Sequence, residues 1–318
     1  MYDVVALGEL LVDFACQSTD QEGYPTLCAH PGGAPANFLA TLAKFGARTA
    51  LIGKVGRDSF GALLTDTLSR AGIDTRALLA DPLVFTTLAF VTLDPQGERS
   101  FSFARKPGAD TCLRPDEVPL SLIDQAKVFH FGTLSLTHEP ARTATRTAVA
   151  HAKAGGKLIT FDPNLRPPLW SDLEQARNAM LWGLSQADVV KISDEEVEFL
   201  FSLSPQGGAA RILSEYGVKL VFVTCGAGGC YFANSTAQGH VPTLSGIQAV
   251  DTTGAGDIFG GSAVWKLLQT NKAPQSLTEE ELREVVTFAC ASAGLSTTRP
   301  GGISSVPDLN EIQKALNQ

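Results

Sequence analysis

Short apolar runs alternate with amphipathic stretches along most of this chain, and that alternation constrains the fold more than any other feature. Runs at residues 4–7, 49–52, 127–131, 157–161, 188–192 and 220–225 have the length of buried strands. Between them, residues 35–45, 59–70, 140–154, 172–184 and 194–200 carry apolar side chains at helical spacing. In the first of these, Phe38, Leu39, Leu42 and Phe45 share a face and Gly46 supplies a stop. A short strand at 230–232 precedes two helices expected near 258–268 and 277–296. Strands joined through helices run parallel and bury both faces of their sheet, so the pattern predicts an α/β domain with helices on both sides. Residues 85–93 and 100–103 depart from it. They are β-branched and aromatic and flank Asp94-Pro95-Gln96-Gly97, a turn sequence, so a hairpin is inserted among the βα units.

The 318 residues would allow two domains at about 150 residues each. With no linker, repeat or low-complexity tract, one α/β domain over residues 1–318 with a small β appendage fits better. Lys and Arg number 25 against 33 Asp and Glu, and the net charge of −8 argues against nucleic acid as a partner. No apolar run approaches the roughly 18 residues of a membrane span, and Glu9 and Asp13 interrupt the first apolar stretch as no secretory signal would. Six cysteines form no C-x-x-C pair and five histidines show no ligand spacing. The expectation is reduced thiols, a cytoplasmic setting, no membrane and no structural zinc. In that setting Asn234-Ser235-Thr236 fits the glycosylation pattern by chance.

Ligands of open α/β sheets bind beyond the carboxyl ends of the strands. The most informative segment there is 251–257, Asp-Thr-Thr-Gly-Ala-Gly-Asp, which leads into a helix. Glycines let the backbone approach a ligand, and the first amides of a helix point outward with the positive end of its dipole, so the segment can cradle an anion. A carboxylate at Asp257 is out of place in a plain phosphate site. It fits if it takes a proton from a hydroxyl that attacks phosphorus. A G-x-G turn alone is equally well the start of a core helix with a favourable first-turn acid. Walker A and G-x-G-x-x-G sequences are both missing, which disfavours P-loop NTPases and Rossmann dehydrogenases.

The heptapeptide as a whole resembles the signature of the ribokinase-like (PfkB) carbohydrate kinases, and the resemblance runs from Gly8 to Pro307. It implies a three-layer α/β sandwich with a mostly parallel central sheet and a small β-sheet lid over the sugar, built from segments near 10–31 and 85–105. It implies that Asp257 is the catalytic base and that Gly254, Ala255 and Gly256 form the anion hole. Pro31-Gly32-Gly33-Ala34-Pro35-Ala36-Asn37 matches the second family signature, which assigns sugar contacts to Gly32, Gly33 and Asn37. Asp13 matches the family's sugar-binding acid, whose charge-assisted bonds suit neighbouring hydroxyls. Without the resemblance it also reads as a surface acid on a strand.

On the nucleotide side, Asp162-Pro163-Asn164-Leu165-Arg166 matches a segment in which Asn164 supports the magnesium–phosphate network. Lys191-Ile192-Ser193-Asp194-Glu195-Glu196 corresponds to the family's N-x-x-E motif. It implies nucleotide-side roles for Lys191, Ser193 and Glu196, with Glu196 organising Mg²⁺ through water. Ser193 stands where the family has Asn, so a direct Asn contact is lost. Glu195 reads as a helix-capping acid. Val223 to Gly229 matches the nucleotide loop, giving ATP contacts to Thr224, Gly226 and Gly229; alone it is a strand–turn–strand with glycines in the turn. Hard Mg²⁺ takes a few carboxylates with water and phosphate, so no all-protein cage is expected. Many members of the family also use K⁺ beside the anion hole, at positions matching Asp251, Thr253, Ser296, Gly301 and Ser305.

The resemblance is strongest to bacterial fructokinases, through Gly-Gly-Ala-Pro-Ala-Asn, Lys-Ile-Ser-Asp-Glu-Glu, and the segment from Phe101 to Asp110. In that segment Arg105 either reaches a sugar hydroxyl from the lid or is a solvated lid charge. The expected reaction is transfer of phosphate from ATP to the primary hydroxyl of D-fructose. A 2-keto-3-deoxygluconate kinase is the rival, through the pattern at 162–170, and would want extra cations near the sugar; ribokinase comes third. A catalytically silent sugar sensor on the same fold would be marked by loss of the base or anion hole, and both are present. The acidic chain can hold ATP because helix amides and Mg²⁺ attract it locally. Related enzymes often dimerise through the lid, whose open strand edges want a partner.

Overall fold

The computed structural model describes residues 1–93 and 99–317, so the turn expected at Asp94–Gly97 lies outside the described residues. The first strand, β1 (Tyr2–Leu7), is followed by a β2–β3 pair (Leu11–Thr19, Pro25–Gly32) and helix α1 (Ala34–Lys44). Next come β4 (Thr49–Gly56), α2 (Ser59–Arg70), the short β5 (Ile73–Asp74) and β6 (Leu78–Asp81), then β7 (Leu88–Leu93) and β8 (Arg99–Ala104). A regular alternation follows: α3 (Leu120–Asp124), β9 (Ala126–Gly132), α4 (Ala141–Ala154), β10 (Leu158–Asp162), α5 (Leu173–Gln186), β11 (Val189–Ser193), α6 (Asp194–Phe201), α7 (Pro205–Tyr216) and β12 (Leu220–Thr224). The chain ends with β13 (Cys230–Asn234), β14 (Gln238–Val241), α8 (Ala255–Thr270), α9 (Glu279–Ser296) and α10 (Leu309–Leu316).

The large sheet has the order β14-β13-β12-β11-β10-β9-β1-β4-β5, with β6 also paired to β4. It is parallel from β12 to β5 and turns antiparallel only at β13 and β14. Side chains alternate across it, and both faces are dry. On β1, Val5 and Leu7 face a core shared with α4 to α7, where Ala144, Ala148, Met180, Leu184, Val197 and Ile212 are fully buried. Val4 and Ala6 face the opposite core, against Phe38 and Leu39 of α1 and Leu64 and Leu68 of α2. Each Val, Leu, Ile, Phe or Met among them contributes about 1.5–3 kcal/mol when fully buried, which is why the strands read as unbroken apolar runs. The α/β architecture with a mostly parallel central sheet is therefore as expected.

A second, four-stranded sheet has the order β3-β2-β7-β8. Antiparallel β2–β3 and β7–β8 pairs join through a parallel β2–β7 contact, Val12 opposite Leu88. Only its second pair is legible in the local pattern. Helix α7 is missing from the sequence reading because Gly207-Gly208 looks like a breaker. Ser204 caps it and Pro205 starts it. Gly208 is needed there, since a Cβ would stand 2.2 Å from the Val197 side chain of α6. Asn234 of the sequon is buried, and its amide donates to the carbonyls of Pro274 and Leu277, so it is a structural turn residue.

Candidate active site

Six helices begin under a side-chain cap: Asp58, Asp172, Ser193, Ser204, Thr278 and Asp308 accept from their first-turn amides. Helix α8 does not. It opens on Gly254 in a left-handed conformation (φ 76°) with no side-chain cap. A Cβ at Gly254 would meet Gly302 Cα at 3.0 Å and Asn37 Nδ2 at 3.1 Å. Asp257 lies in the first turn, and Asn37 of α1 donates from Nδ2 to its Oδ2 at 2.9 Å. Burial raises the Asp257 carboxyl above the usual range, while the Asn37 bond and the Lys191 and Arg166 charges pull it back.

Asp13, on β2, belongs to the same surroundings. Its carboxylate lies so close over Gly32 that a Cβ there would stand 2.2 Å from Oδ2. Burial pushes it up to about 6, opposed by Arg166 and reinforced by the charges of Asp257 and Asp251. Gly33 (φ 116°) has no room for a side chain, since a Cβ would meet the Glu9 carbonyl at 2.6 Å.

The carboxyl ends of β10, β11 and β12 supply the other side. Lys191 donates to Asp162 Oδ2 at 3.0 Å, and both side chains are almost enclosed. The ammonium reaches the start of α8, where a Cβ on Gly256 would stand 2.9 Å from Nζ. Burial opposes its charge, but Asp162, Glu196 and Asp257 outweigh that and raise the Lys191 pKa. Ser193 pairs with Thr224 across the strands. Beyond Thr224, Cys225 to Gly229 closes a tight turn in which Cys225 N–H donates to the Gly229 carbonyl, with Gly226 and Gly229 both at positive φ. Asn164 also has positive φ (48°), at the turn after β10.

Asp251 ties the loop before α8 to the segment after α9. Its Oδ1 accepts from the Thr253 amide and hydroxyl, and its Oδ2 accepts from Gly301 N–H at 2.9 Å. Ser305 donates to the Gly302 carbonyl nearby, whereas Ser296 donates back into its own helix at Ala293. Asp251, Thr253 and Gly301 are thus brought together.

A family model described as pfkB family carbohydrate kinase matches residues 1–309. This chain belongs to the pfkB family. The maize protein fructokinase-1 is 40% identical over 319 residues, covering 99% of this chain and 98% of its own. The Arabidopsis thaliana protein named "Probable fructokinase-3" is 42% identical over 309 residues, covering 96% and 88%. Among solved structures, the Xylella fastidiosa fructokinase with bound ATP has a TM-score of 0.91 at 32% identity, covering 100% of this chain and 99% of that one. The Vibrio cholerae O395 fructokinase with fructose, ADP and calcium ion has a TM-score of 0.88 at 32% identity, with 99% of each chain covered. These likenesses support the ribokinase-like sandwich.

Within this pfkB chain one alternative is ruled out, and two site residues have structural roles as well. Arg105 is not a solvated charge. It is 3% exposed and donates to Asp110 from Nε and Nη2, to Thr137 from Nη1 and to the Leu134 carbonyl from Nη2. Among the described residues, four of its five N–H donors are thereby used inside the protein. Ser193 does more than lose an Asn contact: its hydroxyl accepts from Glu196 N–H as the cap of α6. Glu196 completes that capping box, with Oε2 accepting from Ser193 N–H and Oε1 from Leu165 N–H. It therefore ties α6 to the turn after β10.

One residue of the site escaped the sequence reading. Glu9, 3% exposed, caps the start of α1 by accepting from Ala34 N–H at 3.0 Å, and burial raises it to about 7. Its signal was present as an acid inside an apolar run. Arg166, which the motif after β10 contains without a role, acts by its charge on both Asp13 and Asp257.

Proposed function

We propose that this protein is an ATP-dependent fructokinase that phosphorylates the primary hydroxyl of D-fructose. The observation that carries the reading is the bond from Asn37 to Asp257, which joins the α1 side to the start of α8 at one carboxylate. Asp13, Gly32, Gly33 and Asn37 hold the sugar, and Asp257 takes the proton of the attacking hydroxyl. The amides of Gly254, Ala255 and Gly256, with Lys191, face the charge that develops on the transferred phosphoryl group. Thr224, Gly226 and Gly229 hold the nucleotide. The uncapped α8 start and the enclosed ammonium suit a polyphosphate, and Mg²⁺ would be held largely by phosphate and water, with Glu196 behind it. Mg²⁺ supplies charge neutralisation on the phosphates. Asp251, Thr253 and Gly301 would hold K⁺, with Ser305 next to them. Catalysis is positioning and electrostatics.

Electrostatics at Asp13 favours a neutral sugar. One cation, Arg166, acts on it against two carboxylates, Asp257 and Asp251, so a substrate carrying its own carboxylate would meet a net negative surface. The four-stranded sheet serves as the lid, and its edges β3 and β8 join a second copy; sedimentation of the purified protein at a monomer mass would overturn that. No helix among the described residues is long and apolar enough to cross a membrane. ADP release is to be measured with fructose, ribose, 2-keto-3-deoxygluconate and nucleosides. Fructose is expected to give the highest kcat/KM; preference for 2-keto-3-deoxygluconate would move the assignment to the rival kinase, and no turnover of any would support a silent sensor.

A further inference from the structure

Asp162 has no part in the reaction just described, yet it is 6% exposed and ends β10 beside Lys191. Its Oδ2 holds Lys191, while its Oδ1 is enclosed without a hydrogen-bond partner. A narrow cavity of about 20 Å³ adjoins it, lined by Lys191, Asp257, His130, Thr160 and Phe38 among others. That is room for one water. His130 cannot supply a charge there. It stacks on Phe38 with ring centroids 3.8 Å apart, shares a hydrogen bond with Thr160, and is driven down to about 3 by burial and by Lys191. The only fixed cation at the floor of the α8 start, among the described residues lining this cavity, is Lys191. A lysine has four rotatable bonds and a compact, well-hydrated charge, so it stays beside Gly256 only if something anchors it.

We propose that Asp162 is the positioning residue of the phosphoryl-transfer site: it anchors the Lys191 ammonium against the Gly256 backbone and, through Oδ1, holds a water between itself and Asp257. Lys191 then presents its charge to the transferred phosphoryl group rather than to the sugar or to solvent. The inference rests on the kinase reading above. A double-mutant cycle of Asp162→Asn and Lys191→Met, with the sugar that the wild-type enzyme turns over best, tests it apart from the sugar assignment. Lys191→Met is expected to lower kcat by ~10²-fold, as for other removed transition-state donors. Asp162→Asn, which keeps the shape and loses the charge, is expected to lower kcat by about tenfold or more with KM for the sugar within about twofold, and to add little in the Lys191→Met background. Unchanged kcat in Asp162→Asn, or full additivity of the two losses, overturns the proposal, as does a loss carried by sugar KM. Should Asp162→Asn not fold, Asp162→Glu replaces it in the same cycle, and additivity with Lys191→Met overturns the proposal equally.

Discussion

Helices α1 and α8 both start on a glycine at positive φ, Gly33 and Gly254, and neither glycine can cap anything with a side chain. They are finished in opposite ways. At α1 a buried carboxylate from another segment, Glu9, closes the end on Ala34 N–H. At α8 no side chain closes the end, and an ammonium, Lys191, lies beside Gly256 instead. The first helix start is closed by a protein carboxyl and carries Asn37. The second is left without a side-chain cap, next to the acid that Asn37 holds. One end is a structural joint and the other is built for an anion.

The largest test of this contrast is Asp257→Asn, which keeps the size of the side chain and removes the base. Turnover is expected to fall about 10²–10⁴-fold, with sugar binding by calorimetry retained; near-normal turnover would break the assignment. Gly256→Ala comes next. Its Cβ would stand 2.9 Å from Lys191 Nζ and push the ammonium away, so a fall in kcat of roughly tenfold or more is expected with little change in melting temperature.

At the other helix start the balance should invert. Glu9→Ala strands the half-buried Ala34 amide, and urea unfolding should show a loss of about 1–3 kcal/mol. Sugar KM should rise with it as Asn37 loosens, and a variant with wild-type stability would show that α1 does not need the closure. A pH series adds a gentler probe. Asp13 is raised to about 6, so kcat/KM should decline as pH drops through about 6 and its sugar-accepting form is lost, well above the range of an ordinary aspartate.

The smallest effect concerns stability at Asp13. A carboxyl raised on folding stabilises the fold most below its unfolded value and loses that contribution as pH rises through the folded value. Asp13→Asn should therefore be more stable than the native chain at pH 7–8, by roughly 2 °C or more in melting temperature, with the gain gone near pH 4. A gain that is independent of pH would show that packing, not charge, is responsible.

How much of this was legible before the structure depends on sequence distance. The anion cradle occupies seven consecutive residues, and a contiguous turn into a helix carries its geometry in its own φ angles and amides. The parallel core was legible because each central strand is buried on both faces and so must be apolar throughout. Lys191 could be placed on the nucleotide side by motif, but its partner Asp162 is 29 residues away, and no local pattern pairs them. Asn37 and Asp257 are 220 residues apart, and their contact exists only because α1 and α8 pack on the same face of the sheet. Arg105 shows the limit from the other side. A charged residue at the end of a hairpin can be solvated or can reach a ligand, and only the packing of Asp110, Thr137 and Leu134 around it shows the guanidinium buried.

The sequence by itself determined the kinds of element and the chemistry of the cradle, because period, glycine and helix start are local properties. The tertiary structure decided which charges face one another, which helix start is closed and which stays open, and where the ammonium rests. Those outcomes depend on distances of a few ångströms between segments far apart in the chain, where burial makes each unpaired charge costly enough to require a partner.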